Sequence, residues 1–489
     1  MTPHFQRVRR SVLALAALSF AGCSLAPVYV RPAIQTPETF KEQGPWVDAA
    51  PADQMQRADW WQLYGDATLN DLETKVDVAN PDLAAAVDRY TQARAYLDET
   101  RSGFFPQLAG GAQATHNRQS DDRPLRSASQ PDEYKDNLIG AQLGYELDLW
   151  GRVRNLVSAG RASAQAYGAD LASVRLSLHA ELANDYISVR GLDAQAKLLA
   201  DTVEAYAHAL QLTENRFSGG IASGLDVARA RTQLSTARAL ISDIKAQRAL
   251  FEHAIASLVG VPASSFSLQP TVAEMPLPPI PVSVPSTLLQ RRPDIAAAER
   301  RAAAANANIG VARAAFFPNI ALTATGGYEN TGGANWLTAP NSFWSIGPRI
   351  SLPIFDAGRR RAIEQEARAV FDEASDRYRG IALTAFQQVE DNLALLRWLG
   401  EEEKDESAAV ASAQQTLDLA LDRYRNGAVN YLEVVDSQVT ALAAQRIELT
   451  LQDRQLRASI GLIRALGGGW SMAELNEQAT STGTHTATR

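Results

Sequence analysis

Few residues in this chain have the types and spacing to do chemistry. Cys23 is the single cysteine of 489 residues, so no disulfide can form within the chain. It follows a basic start (Arg7, Arg9, Arg10), an apolar run over Val12–Phe20 and the small residues Ala21 and Gly22. That order is the pattern of a secretory signal, and the cysteine at its end is the pattern of a lipid-bearing first residue. The run is too short to span a bilayer as a helix. We therefore expect removal of residues 1–22 and acylation of Cys23. A second set is acidic. Glu433 and Asp436 stand three apart, which on a helix puts both on one face. Asp226 and Glu433 each stand three residues after a capping type, in Ser223-Gly224-Leu225-Asp226 and Asn430-Tyr431-Leu432-Glu433. An acid there closes a capping box and complements the helix dipole, with or without any further role. The six histidines show no metal-ligand spacing. No phosphate-cradling glycine loop or catalytic constellation is present. The expectation is a protein without cofactor, metal site or enzymatic activity.

The elements that position these residues come in two copies. Asn80-Pro81-Asp82-Leu83 resembles Arg292-Pro293-Asp294-Ile295, and Phe104-Phe105-Pro106 resembles Phe316-Phe317-Pro318, both at an offset of 212. Trp150-Gly151-Arg152 and Ala357-Gly358-Arg359 match at an offset of 207, as do Arg216-Phe217 with Arg423-Tyr424, and Leu258-Val259-Gly260 with Ala465-Leu466-Gly467. Ordered matches of this kind mark an internal repeat. Repeat one spans 80–260, with a helix, a β-hairpin at 107–149, a long helix at 151–217 and a return helix at 223–260. Repeat two spans 293–467, with a hairpin at 319–355 and helices at 358–426 and 430–467. An extended N-terminal segment covers 23–79, a proline-rich linker 261–292 and a polar tail 468–489.

The strands rest on period-two alternation. Ile139, Ala141, Leu143, Tyr145, Leu147 and Leu149 alternate with Gly140, Gln142, Gly144, Glu146 and Asp148. Trp344, Ile346, Ile350, Leu352 and Ile354 alternate with Ser345, Gly347, Arg349 and Ser351. This is the pattern of a membrane barrel strand, apolar outward; alternation alone fits a soluble sheet with one wet face more readily. Tyr328, Trp336, Phe343 and Trp344 near the strand ends resemble an interfacial aromatic girdle. The segments 151–217 and 358–426 contain no proline and are rich in good helix formers. Their apolar residues recur in heptad-like pieces, such as Phe386, Val389, Leu393 and Leu396, which also suits a coiled-coil stalk. Glycines at 219–220 and 427 turn each long helix back on itself. A formal charge of −8 gives no basic footprint for nucleic acid.

Four strands cannot close a barrel, and an open sheet edge in hydrocarbon leaves backbone groups unpaired. Other copies must complete it. Two copies give eight strands and no aqueous lumen, three give twelve under cyclic symmetry, and four satisfy the same closure.

Named motifs then point to a family. Cys23-Ser24-Leu25-Ala26-Pro27-Val28-Tyr29-Val30-Arg31-Pro32, Asp59-Trp60-Trp61-Gln62-Leu63-Tyr64-Gly65-Asp66, Leu288-Leu289-Gln290-Arg291-Arg292-Pro293-Asp294-Ile295 and Arg423-Tyr424-Arg425-Asn426-Gly427 resemble the TolC-like outer-membrane efflux factors, in their OprM/NodT-type lipoprotein branch. Ser24, rather than Asp, behind the cysteine fits sorting to the outer membrane. The resemblance implies a mainly α fold with a membrane β-barrel: a homotrimeric twelve-stranded barrel continued by a twelve-helix periplasmic α-barrel. It implies a lipid anchor in the outer membrane, a periplasmic adaptor and an inner-membrane pump of the RND class as partners, and passive export of drugs or other small molecules. Export of heavy-metal cations or of protein by a type I route is the alternative cargo. It further implies that Glu433 and Asp436 match acids that ring the periplasmic gate, with Asp226 their counterpart in repeat one. Tyr424 matches a tyrosine holding the closed state, and Val429 stands where the family has a linking arginine. Six carboxylates around one axis would favour cations.

Overall fold

The computed structural model describes residues 24–42, 59–124, 127, 129–272, 275–280, 289–332 and 335–470. The signal, Cys23 and the tail from Ser471 lie outside the described residues. In chain order the elements are a short 3-10 turn at Trp60–Tyr64, α1 (Ala67–Ala79), α2 (Pro81–Ser102), β1 (Gln107–Arg118), β2 (Glu133–Glu146), α3 (Arg152–Ser218), α4 (Gly224–Leu258), α5 (Pro293–Ala314), β3 (Asn319–Asn330), β4 (Ser342–Ser351), α6 (Arg359–Arg425) and α7 (Tyr431–Ala465). The chain is mainly helical with one sheet, and helix, hairpin, long helix and return helix occur twice in the same order. Helices α3 and α6 are both 67 residues long, and α4 and α7 both 35.

The compact units are not the consecutive repeats. One unit holds the described parts of Met1–Pro32, Tyr90–Tyr167 and Ala298–Tyr378, the other those of Ala33–Arg89, Gly168–Ala297 and Arg379–Arg489. Each draws on both repeats, because each of the two long helices belongs partly to one unit and partly to the other.

In the first unit the four strands form one antiparallel sheet in the order β1-β2-β3-β4. The central pair joins the repeats, running from Asn137↔Asn330 to Glu146↔Ala321. Trp344, Ile350, Ile354 and Phe355 are uncovered, Ile354 at 94% exposure. The alternation in repeat one stops sooner than its pattern implies. β2 ends at Glu146, and Asp148 accepts hydrogen bonds from the Val153 and Arg154 amides at 3.0 and 2.9 Å. Asp148 is thus committed to the orphan amides at the start of α3 rather than to a polar strand face. Asp356 does the same for α6 through the Gly358 and Arg360 amides.

In the second unit the matched motifs turn out to be neighbours. Asn80 Nδ2 donates to the Leu258 carbonyl at 2.8 Å, while its Oδ1 accepts from the Leu83 amide at 2.9 Å. One side chain therefore caps the start of α2 and the end of α4. Arg292 takes the second-copy role, donating to the Ala465 carbonyl at 3.1 Å and pairing with Asp294 at 2.6 Å. Beside them a Cβ on Gly260 would lie 2.2 Å from the Ala79 carbonyl oxygen, and one on Gly467 would lie 2.1 Å from that of Arg291. No side chain fits at either crossing, which is why the glycine recurs at the repeat offset.

The aromatic motif is a core plug. Trp60, Trp61 and Tyr64 are buried with Leu69, Leu182, Tyr186 and Ile255. Gly65 turns the chain at φ 67°, and Asp66 caps α1 by accepting from the Thr68 and Leu69 amides at 2.8 and 2.9 Å. Next to this plug, His179 lies between two carboxylates, 2.5 Å from Glu73 and 3.1 Å from Asp77, with Trp61 stacked on its ring. Burial raises the Glu73 carboxyl to about 7, opposed in part by its bond to His179.

Candidate constriction at the helix tips

The site residues sit at two turns where a long helix hands over to its return helix. At tip one, α3 ends at Ser218 and the chain reverses through Gly220, whose φ is 71°. The Ile221 and Ala222 amides fold back onto the Arg216 carbonyl at 2.8 and 3.1 Å, satisfying an orphan acceptor of the helix end. The capping box closes in full. The Asp226 amide donates to Ser223 Oγ at 3.2 Å, and the Ser223 amide donates to Asp226 Oδ2 at 3.1 Å. Arg229 stands 3.8 Å from the same carboxylate. Asp226 is committed to its own helix start.

At tip two, α6 ends at Arg425 and the chain reverses through Gly427, φ 76°. Here the expected capping box does not form. Asn430 Oδ1 accepts from the Leu432 amide at 3.0 Å, one position earlier than a box requires. Among the described residues Glu433 makes no return bond to Asn430; it lies 3.9 Å from Arg423. The shorter Asx-type cap satisfies the second amide of the helix, so the acid is released to the surface. Capping therefore does not account for Glu433. Asp436 is exposed. Its carbonyl accepts from Thr440 Oγ1 at 2.8 Å, and no described residue pairs with its carboxylate. On α7 these acids lie opposite Val434 and Val435, which are buried.

Tyr424 is a core residue. It is 4% exposed and packs with Tyr431, Ala420, Ala230, Val434 and Val435. The Tyr424 and Tyr431 rings are 5.2 Å apart at 60°. Burial first, then Tyr424 and Tyr206, push the Tyr431 hydroxyl up to about 12, so it stays protonated. The Tyr424 hydroxyl is itself buried with no partner among the described residues.

The residue that sequence reasoning missed is Arg216. From the end of α3 its Nη1 donates to the Tyr424 carbonyl at 2.7 Å and more weakly to that of Arg425 at 3.4 Å, both at the end of α6. Its guanidinium lies 4.6 Å from the centroid of the Tyr424 ring. A cation there satisfies orphan carbonyls and the negative end of the helix dipole together. Its match to Arg423 across the repeats was visible; that the two arginines do different work was not.

No group of residues able to hold a metal ion is present among the described residues, and no described helix is long and apolar enough to cross a membrane.

A family model described as outer membrane efflux protein matches residues 75–261 and 284–468, one match per repeat. The chain is 34% identical over 477 residues to the toluene efflux pump outer membrane protein TtgF of Pseudomonas putida, covering 96% of this chain and 98% of that protein. It is 32% identical over 461 residues to the cation efflux system protein CusC of Escherichia coli, covering 93% and 97%. Among solved structures, the outer-membrane channel OprN is similar with a TM-score of 0.85 at 28% identity, covering 92% of this chain and 100% of that one.

Proposed function

This chain belongs to the outer membrane efflux protein family, and we propose that three copies close their sheets into one transmembrane barrel that serves as a passive export duct. The observation that carries this reading is the sheet itself. It has four strands, an uncovered apolar face, and two open edges, at β1 and β4. In hydrocarbon each unpaired edge group costs several kcal/mol, so the edges must pair with other copies. Three copies supply twelve strands, enough for an aqueous lumen. The long helices then continue the duct into the periplasm. Cys23 carries the lipid anchor in the outer membrane, and a periplasmic adaptor and an RND-class inner-membrane pump deliver the cargo.

The duct does no chemistry on what passes. Drugs, solvents and other small molecules are its cargo, in line with the names of relatives such as the toluene efflux protein. Asp436 lines the periplasmic constriction, because it is the tip acid that neither a cap nor an ion pair occupies. Glu433 stands beside it, drawn partly toward Arg423. Tyr424 holds the tip from inside, and Asp226 contributes to the fold of tip one rather than to the lumen.

Reconstitution in a planar bilayer tests the reading. The purified chain should run as a heat-modifiable trimer and form discrete, cation-preferring pores. Asp436→Ala should change conductance and weaken the cation preference. A chain that forms no pore removes the duct, and unchanged conductance and selectivity in the variant remove Asp436 from the constriction.

A further inference from the structure

A set of ionisable groups buried beside the Trp61 plug has no part in the duct or its tips. Glu73 and Asp77 stand four apart on α1, and Arg175 and His179 four apart on α3, so each pair shares a helix face. The two faces meet in reverse order. His179 Nδ1 lies 2.5 Å from Glu73 Oε2, and its Nε2 lies 3.1 Å from Asp77 Oδ1. Arg175 holds Asp77 from the other side through two bonds of 2.8 and 2.7 Å. Trp61 covers the imidazole, with the ring centroids 4.4 Å apart. The Glu73 side chain is 0% exposed and that of His179 3%.

This geometry fixes how many protons the cluster needs. A neutral imidazole has one N–H and one bare nitrogen, and an ionised carboxylate only accepts. Here both ring nitrogens face a carboxylate oxygen at bonding distance. Two hydrogens are required, and neutral His179 brings one. The other sits on His179, making an imidazolium between two anions, or on Glu73, which then donates to Nδ1. Without it, a nitrogen lone pair faces a carboxylate lone pair inside the core, and a buried charged hydrogen bond is lost. The second Glu73 oxygen, Oε1, is buried with no partner among the described residues. An ionised Glu73 would have one donor in an apolar site, which favours the neutral acid. Burial accordingly lifts the Glu73 carboxyl from 4.5 to about 7, against its bond to His179. The charges acting on Glu73 are those of His179 and Asp77. Arg175 stands behind Asp77, and the 3-10 turn presents the uncharged Trp61. From α4 and α7 the adjoining core receives Ile255, Leu258, Ile460 and Ile463.

We propose that Glu73, His179 and Asp77 form a proton-held latch, which fastens α1 and the Trp60–Tyr64 turn to α3 and loosens when the shared proton is lost. With α1 detached, Glu73 ionises at its ordinary value; fastened, it keeps its proton up to about 7. Between those two values the fastened state binds more protons than the detached one. Its hold is therefore complete on the acid side and is lost as pH rises through about 7. Acid stiffens this part of the second unit, and alkali frees α1. The latch lies within one chain and stands whether or not that chain conducts.

Amide hydrogen exchange of the full-length protein in detergent, read by mass spectrometry on peptides covering Ala67–Ala79, tests the latch. Protection, corrected for the intrinsic rate at each pH, should fall about tenfold or more from about pH 5 to about pH 8, the effect of one pKa unit of differential proton binding. Peptides covering Leu432–Leu442 of α7, at tip two, give the reference for general loosening. Glu73→Gln is neutral and offers Nδ1 a donor, so the drop should vanish and α1 should stay protected in alkali. Asp77→Asn offers Nε2 a donor instead, and should shrink the drop as well. The Asp77 side chain is 26% exposed, so this variant carries the test if Glu73→Gln does not fold. A native α1 equally protected at both pH values overturns the latch. So does a drop of native size in either folded amide variant, since the titrating group then lies elsewhere. An equal drop in the tip-two peptides assigns the response to general unfolding and also overturns it. Exchange is read with or without pore formation, so failure of the duct and failure of the latch are distinguishable.

Discussion

The two tips descend from one repeated plan and have been put to different uses. Position by position, at the offset of 207, Phe217 of tip one corresponds to Tyr424 of tip two, Gly224 to Tyr431, and Arg229 to Asp436. Phe217 is 52% exposed, whereas Tyr424 is 4% exposed. Tip two spends its aromatics inside, where Tyr424 and Tyr431 pack on Ala230 from α4. Tip one leaves Phe217, Ile221 and Leu225 uncovered in the single chain, a patch that another surface is expected to cover. The charges follow the same division. Asp226 is consumed by its capping box, while the Asp436 carboxylate has no partner among the described residues. Tip one thus closes its own caps, while tip two draws on tip one, through Arg216 and Ala230, to hold its shape.

This difference predicts unequal responses to equal changes. Tyr424→Ala should remove about 3 kcal/mol by opening a cavity in the tip core. Phe217→Ala, the same truncation on an exposed ring, should stay within about 0.5 kcal/mol. Thermal unfolding of the two variants in detergent compares them directly, and similar losses would mean that the tips are not distinct. Arg216→Ala comes next, with a loss of about 2 kcal/mol from its charged hydrogen bond and ring contact. Arg423→Ala breaks only an exposed 3.9 Å pair with Glu433 and should cost less than about 0.5 kcal/mol. Pore measurements on Arg216→Ala should also show more frequent opening, since its hold on the end of α6 is lost.

Smaller effects sharpen the capping contrast. Ser223→Ala should cost about 1 kcal/mol, because it dismantles a reciprocal box, and Asn430→Ala somewhat less, since it removes one bond. Helical content followed on heating would show the order. Least in stability, but not in conduction, is Asp436→Arg. It should leave the melting midpoint within about 0.5 kcal/mol while reducing or reversing cation preference in single pores. The matched change Arg229→Asp should leave ion preference as it is, and an equal shift from both would place tip one in the constriction as well.

Much of the molecule could be read before its structure was seen. The long helices follow from proline-free runs of good helix formers, and the turns from glycines at both tips. The strands follow from period-two alternation, and the repeat itself from ordered matches at two offsets. The tips were legible as turns and their acids as candidates. What local reasoning could not supply was commitment. Glu433 had the spacing of a box-closing acid, yet Asn430 took a nearer amide and left it outward. Asp148 had the alternation of a strand residue, yet α3 claimed it as a cap. His179 belonged to no metal-type spacing, and its partners Glu73 and Asp77 come from a helix about a hundred residues away.

The sequence alone therefore determined the elements, their order and their duplication. Those depend on neighbours within one or two turns of chain, where propensity, capping and periodicity act. Tertiary structure decided which of two equivalent residues is buried, which acid is left without a partner, and that Arg216 of one tip holds the other. Those outcomes turn on contacts between residues some two hundred positions apart. At that separation only packing chooses among hydrogen-bond partners that the sequence offers on equal terms.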